Sequence, residues 1–208
     1  MSKFMNRRSA LVGVALLAVA ACSSDPVPRD TFHRLGAAAP VPARAGGPIR
    51  GTLDVPPFRA AGILNERAIL YRDGPTQLAQ YSYHDWVEAP GVMLQRGLIE
   101  VLRQAQAFEQ VTTPDMRLDR DYELRAELRQ WEHVRTGGQS AVAIEIEVSI
   151  RRVADNSMVL LKTYKANEAA QADTVVAAVA AFTRGMDGVY TAFLTDLAAV
   201  PNAPAAAK

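Results

Sequence analysis

Apolar and polar positions alternate most clearly in the second half of the chain. Tyr122, Leu124, Ala126 and Leu128 alternate with Glu123, Arg125, Glu127 and Arg129. Val142, Ile144, Ile146, Val148 and Ile150 alternate with Ala143, Glu145, Glu147, Ser149 and Arg151. Period two over such lengths predicts strands with one buried and one wet face. Gly137-Gly138 separates these two strands, and Asp155-Asn156-Ser157 turns into a third, Met158–Tyr164, so the pattern predicts an antiparallel meander. Its register should be well specified, because a slip of one residue would bury Glu145 and Glu147.

Two helices bracket the meander. Leu94, Leu98, Val101, Leu102, Ala105 and Phe108 form one apolar stripe, predicting a helix from about Pro90 to Ala107, with proline in its first turn and a poor cap at Ala89. A short strand, Phe108–Val111, follows it. Val175, Val179, Phe182, Met186, Val189, Phe193 and Leu197 predict a second helix over 174–198, capped by Asp173 or Thr174. Gly185 and Gly188 inside it argue for packing on the sheet rather than a free coiled coil, with a close approach at the glycines.

Earlier in the chain, TFHRLG (31–36) reads as a first strand and the Ala/Pro/Gly-rich 37–48 as a loop. Further strands are predicted at Ile49–Val55, stopped by Pro56-Pro57, at Arg67–Tyr71 and at Leu78–Tyr83, with Asp73-Gly74-Pro75 as a turn. The fold class is therefore α+β: a mixed or antiparallel sheet with a C-terminal three-strand meander, packed by two main helices, in one domain over 31–199. Residues 200–208 read as a disordered tail.

The first 30 residues follow another logic. Lys3, Arg7 and Arg8 precede a small-apolar run, Ala10–Ala21, and the chain's one cysteine, Cys22, follows at once. This is the pattern of a secretory signal peptide over 1–21, and the run falls short of the roughly 20 residues that span a bilayer. Val19-Ala20-Ala21-Cys22 resembles a bacterial lipobox, which makes Cys22 the expected lipidation site and 22–30 a lipidated tether. A single cysteine excludes an intrachain disulfide and a Cys-rich zinc site.

Processing before Cys22 would leave 187 of the 208 residues and remove three cations, so 20 basic residues would face 22 acidic ones, a net charge of −2. Membrane attachment must then come from acyl chains, since two or more anchor stably and one does not. The near-neutral balance also gives no electrostatic case for nucleic acid.

Candidate chemistry is sparse. His33, His84 and His133 stand in different elements with no paired spacing, and there is no HExxH, GxSxG or phosphate-binding glycine loop. His84-Asp85 beside Trp86 is the one polar cluster that could orient a base, and no nucleophile or metal ligand accompanies it. No catalytic residue, metal site or cofactor is expected, and the domain reads as one that works by binding.

The stretch Asn65–Leu102 resembles the ABC-type transport auxiliary lipoproteins, the family that includes the paraquat-inducible lipoproteins. The resemblance rests on Arg67, Ile69, Tyr71 and Arg72 in one strand, on Tyr81 and Trp86 after the turn, and on Glu88, Pro90, Leu94 and Leu98 at the helix. Asp121, Tyr122 and Leu124, the meander and the last helix follow the same plan. Ala89 departs from it, standing where an acidic residue directly before proline is expected.

The resemblance marks Tyr71, Arg72, Tyr81, Trp86, Glu88 and Pro90 as an interaction or structural motif. It implies a non-enzymatic component of an MCE-type (mammalian cell entry) lipid transporter, whose partners are a periplasmic MCE protein, a permease and an ATPase, with phospholipid as cargo. It leaves open whether the chain forms a homo-oligomer. Ser23 rather than aspartate after Cys22 points to the outer membrane, facing the periplasm.

Overall fold

A computed structural model describes residues 28–201. The signal segment and Cys22, with most of the tether, lie outside the described residues, as do 202–208 of the tail. The strands are β1 (Thr31–His33), β2 (Ile49–Asp54), β3 (Arg59–Ala60), β4 (Ala68–Arg72), β5 (Ala79–Trp86), β6 (Phe108–Thr112), β7 (Tyr122–Thr136), β8 (Gln139–Arg152) and β9 (Met158–Ala169). The helices are α1 (Pro90–Gln104) and α2 (Val175–Ala198). The architecture is α+β: one mixed sheet of nine strands that carries the meander and is packed by two helices.

β7 is the spine of the sheet. Along one edge it pairs antiparallel with β8 from Tyr122↔Arg152 to Thr136↔Gln139, and β9 continues the meander beyond β8. Along its other edge three strands line up in turn, all parallel to it: β2 at Tyr122, β3 at Glu127 and β4 at His133. β6 extends the sheet from β2, while β5 and then β1 extend it from β4.

The long strands outrun their predicted ends for a physical reason. A bulge between Leu128 and Gln130 inserts an extra residue into β7. The inward set is Tyr122, Leu124, Ala126 and Leu128 before the bulge and Trp131 and His133 after it. A phase change of one position is what a bulge produces, and it hides the second half of the strand from a period-two pattern. On the outer face the charges pair across strands: Arg151 with Glu123 (2.5 Å), Arg129 with Glu147 (2.9 Å) and Lys165 with Glu145 (2.8 Å).

α1 begins at Pro90 without a side-chain cap and ends at Gln104, three residues before the predicted end. Gln106 takes a left-handed conformation (φ 47°) that turns the chain into β6. Thr174 caps α2, its hydroxyl accepting from the amide of Ala177 at 3.2 Å. Only one of the two mid-helix glycines marks a close approach. A Cβ on Gly185 would lie 2.8 Å from Ile144 Cδ1, whereas Gly188 faces open space. The core fills the space between the sheet and both helices, with Trp86, Trp131, Phe182 and Phe193 its largest fully buried side chains.

The segment read as a loop, 37–48, belongs to an ordered strap along α2. The amide of Gly36 donates to Thr183 Oγ1 (3.0 Å) and that of Ala39 to Asp187 Oδ1 (3.0 Å). Arg44 donates from its amide to the carbonyl of Ala105 (2.6 Å) and from its guanidinium to that of Val200 (2.5 Å). Val200, the first residue of the predicted tail, is thus tied to the body.

Candidate functional site

β5 carries the residues on which the sequence reading converged, and its backbone is irregular there. Ala68 pairs with Asp85 and Leu70 with Gln80, so residues 81–84 bulge out of the β4–β5 ladder. Tyr83 within the bulge has φ 63°, a left-handed conformation unusual for an aromatic residue. The bulge turns Tyr81 and His84 toward neighbouring strands.

The result is a network that spacing in sequence did not reveal: the three histidines converge. His33 Nε2 lies 2.9 Å from His84 Nδ1, their rings 5.2 Å apart. Tyr81 stands edge-on to His84 and reaches His133 Nδ1 with its hydroxyl at 2.7 Å. His133 Nε2 lies 2.7 Å from Ser140 Oγ, which is 3.2 Å from the carbonyl oxygen of Ala172.

With His133 neutral, one proton arrangement satisfies the whole chain. A carbonyl only accepts, so Ser140 donates to Ala172 and must accept from His133 Nε2–H. His133 Nδ1 then accepts from the Tyr81 hydroxyl. In that arrangement the serine proton points to a carbonyl and not to the imidazole, unlike the serine of a Ser–His nucleophile. The chain ties β5, β7, β8 and the approach to α2 together.

Charged groups surround this line. Tyr71 packs on Tyr81 with ring centroids 4.5 Å apart, and the Arg135 guanidinium lies 5.3 Å from the Tyr71 ring. Arg135 pairs with Asp173 (2.9 Å) and Asp73 (3.6 Å). Arg72 pairs with the buried Glu132 at 2.7 Å, and Gln130 donates to the same carboxylate oxygen at 2.8 Å.

Trp86, Glu88 and Pro90 sit apart from the network. Trp86 is fully buried against Trp131 and Phe182, Glu88 pairs with Arg96 at 2.7 Å, and Pro90 is the buried first residue of α1. Asp85, the other half of the predicted polar cluster, pairs in the sheet with Phe32 and Ala68. Among the described residues no group of three or more His, Cys, Asp or Glu side chains is placed to hold a metal ion.

Two cavities open along the strap. One of about 410 Å³ lies between the strap and both helices, where Arg34, Met93, Arg96 and Tyr190 line it. The other, about 360 Å³ and mostly apolar, is bounded by Val41, Ala107, Leu194 and Leu197.

Burial holds the His33 and His133 imidazoles below their ordinary value of 6.5, with His84 adding to the effect at His33 and Arg135 at His133, where Asp173 and Asp73 oppose it. The unfolded chain therefore takes up these protons more readily than the native one. The stability involved is present above pH 6.5 and is lost as pH falls below it. The denaturation midpoint is expected to fall between pH 7.5 and 5.5, a window above the range in which the carboxylates titrate. Replacing His133 by Phe should flatten part of that fall, and a wild-type midpoint that does not move would refute the account.

A family model described as ABC-type transport auxiliary lipoprotein component matches residues 33–192, from the end of β1 to the fifth turn of α2. Among solved structures, a protein from Xanthomonas campestris superposes with a TM-score of 0.70 at 21% identity, covering 79% of this chain and 92% of that one. A second crystal structure, of an uncharacterized protein, gives a TM-score of 0.65 at 13% identity, covering 82% and 99%. At such identities these likenesses speak for the fold alone. No curated protein matches the chain.

Proposed function

We propose a specific role from the premise that this chain belongs to the family of ABC-type transport auxiliary lipoprotein components: docking and stabilising the trans-envelope path of an MCE-type lipid transporter. Family membership makes the chain an auxiliary lipoprotein of an ABC transport system, membrane-anchored in the cell envelope, and implies a non-catalytic part. The finer reading adds the cargo, the partners and the membrane. Cys22 carries the acyl chains, Ser23 directs the protein to the outer membrane, and the folded domain meets a periplasmic MCE protein served by a permease and an ATPase.

The observation that carries this reading is the extent of the match. Residues 33–192 take in nearly the whole fold, including the segment 65–102 that builds β4, β5 and nearly all of α1. The polar groups most suited to chemistry are committed to structural hydrogen bonds, which favours binding over catalysis. The two strap cavities, about 410 and 360 Å³, are too small to enclose a two-chain phospholipid, which favours docking over carrying the cargo. The same observation supports a second reading, a lipoprotein that tethers envelope complexes and never contacts lipid.

Mild-detergent purification of the full-length chain from its own membranes separates the two. Recovery of an MCE-type protein with its permease and ATPase supports the first reading. Recovery of envelope proteins without any transporter component supports the second. Cys22→Ala is expected to shift the protein from the membrane pellet to the soluble fraction with its circular dichroism unchanged, since no described element contains Cys22. A variant that stays in the pellet with its signal segment removed would refute lipidation at Cys22.

A further inference from the structure

We infer that the β1–β5 edge of the sheet, carrying Phe32 and Tyr83 and flanked by Ile63 of the short helical turn Gly62–Asn65, is a membrane-apposed surface that rests on the headgroup region of a zwitterionic bilayer. This inference rests on the reading of Cys22 as the anchor.

Reach supplies the first argument. Nine residue steps separate Cys22 from Thr31, the first residue of β1. At full extension each step spans at most about 3.6 Å, so β1 stays within roughly 30 Å of an acyl chain attached at Cys22. Among the described residues β1 is also an edge strand, paired only with β5. The tether therefore keeps this edge within that reach of the bilayer surface.

The composition of the edge is the second argument. Phe32 is 54% exposed, Tyr83 44% and Ile63 40%, so large apolar side chains on this border face solvent. The pairing of Thr31 with His84 places Tyr83 beside Asp30, where the tether enters β1. The Arg67 guanidinium lies 5.1 Å from the Phe32 ring and donates to the carbonyl of Trp86 at 2.9 Å. Ile63 lines a shallow depression with Arg67 and Asp85, the residue opposite Phe32.

Phe32, Arg67 and Ile63 are therefore contiguous, and Tyr83 lies at the near end of the same strand pair. Tyr83 also holds its left-handed backbone with its ring partly in solvent.

A tyrosine ring, with its polar end, favours the membrane interface, as Tyr83 would, and the Arg67 guanidinium beside the Phe32 ring can meet a phosphate. The local charges balance, Arg29, Arg34 and Arg67 against Asp30, Glu66 and Asp85. An anionic lipid is therefore not needed, and contact should depend little on salt.

The test uses the full-length lipidated protein in phosphatidylcholine vesicles brominated in the upper acyl chain. Its two native tryptophans, Trp86 and Trp131, are both fully buried and give a quiet background. Tryptophan is introduced singly as Phe32→Trp, Tyr83→Trp or Leu161→Trp. Leu161 is 59% exposed on β9, five strands away from β1 and so roughly 24 Å across the sheet.

At least twofold stronger quenching at positions 32 and 83 than at 161 is the expected result. Vesicle flotation with equal quenching at all three positions, or with none, overturns the apposed surface and leaves the anchor standing. Failure of the unmodified protein to float removes the anchor reading and this inference with it.

Discussion

Trp86→Ala is expected to lower the stability of the folded domain by about 3–5 kcal/mol, the range measured for truncating large buried aromatic residues. Trp86 is fully buried, with its ring 5.7 Å from that of Trp131 and 5.6 Å from that of Phe182. Trp131 and Phe182 stack on each other at 4.2 Å, so the three rings join β5, β7 and α2. Removing the indole leaves a cavity bounded by two rigid rings and a sheet, which can collapse only partly.

The backbone at this position is also fixed, since the Trp86 amide donates to the carbonyl of Arg67 at 2.6 Å. For a domain of this size the loss corresponds to a fall in Tm of about 10 °C. Trp86→Phe should cost distinctly less, because the indole Nε1 is buried without a hydrogen-bond partner and its deletion removes no bond. An unchanged Tm for Trp86→Ala would refute the core role and return this residue to the candidates for partner docking.

Gly91→Ala should be at least as damaging, for a reason of distance. A Cβ at Gly91 would lie 2.2 Å from the carbonyl oxygen of Phe58, a backbone atom that has no rotamer by which to escape. Phe58 cannot move away freely, because its amide donates to the carbonyl of Gly91 at 3.0 Å. The added methyl must push apart the start of α1 and the chain between β2 and β3. A loss of about 3 kcal/mol or more is expected.

Gly188→Ala is the matching control. It lies inside α2 facing open space, so the methyl meets nothing and should stabilise the helix by about 0.5–1 kcal/mol. Chemical denaturation of both variants decides the matter. Equal midpoints for Gly91→Ala and the parent protein would overturn the account of the α1 start.

Sequence by itself determined the elements whose cause is local. Alternation marked β8 and the first half of β7, and a period near 3.6 marked both helices with their buried faces. The cap of the last helix was narrowed to Asp173 or Thr174 by their side chains, and Asp155-Asn156-Ser157 was marked as a turn by its composition. These features follow from contacts within a few residues, and each is written in consecutive positions.

Tertiary structure alone decided the rest. The bulge at Arg129 reverses the phase of β7, so Trp131 and His133 enter the interior from positions that a strict alternation assigns to solvent. The histidines at 33, 84 and 133 meet only because β5 bulges between β1 and β4. The strap is ordered by side chains of α2 that lie nearly 150 positions away. Two glycines three residues apart differ because only one faces the sheet. In each case the deciding contact is long-range, and its energy belongs to a pair of positions that no local window contains.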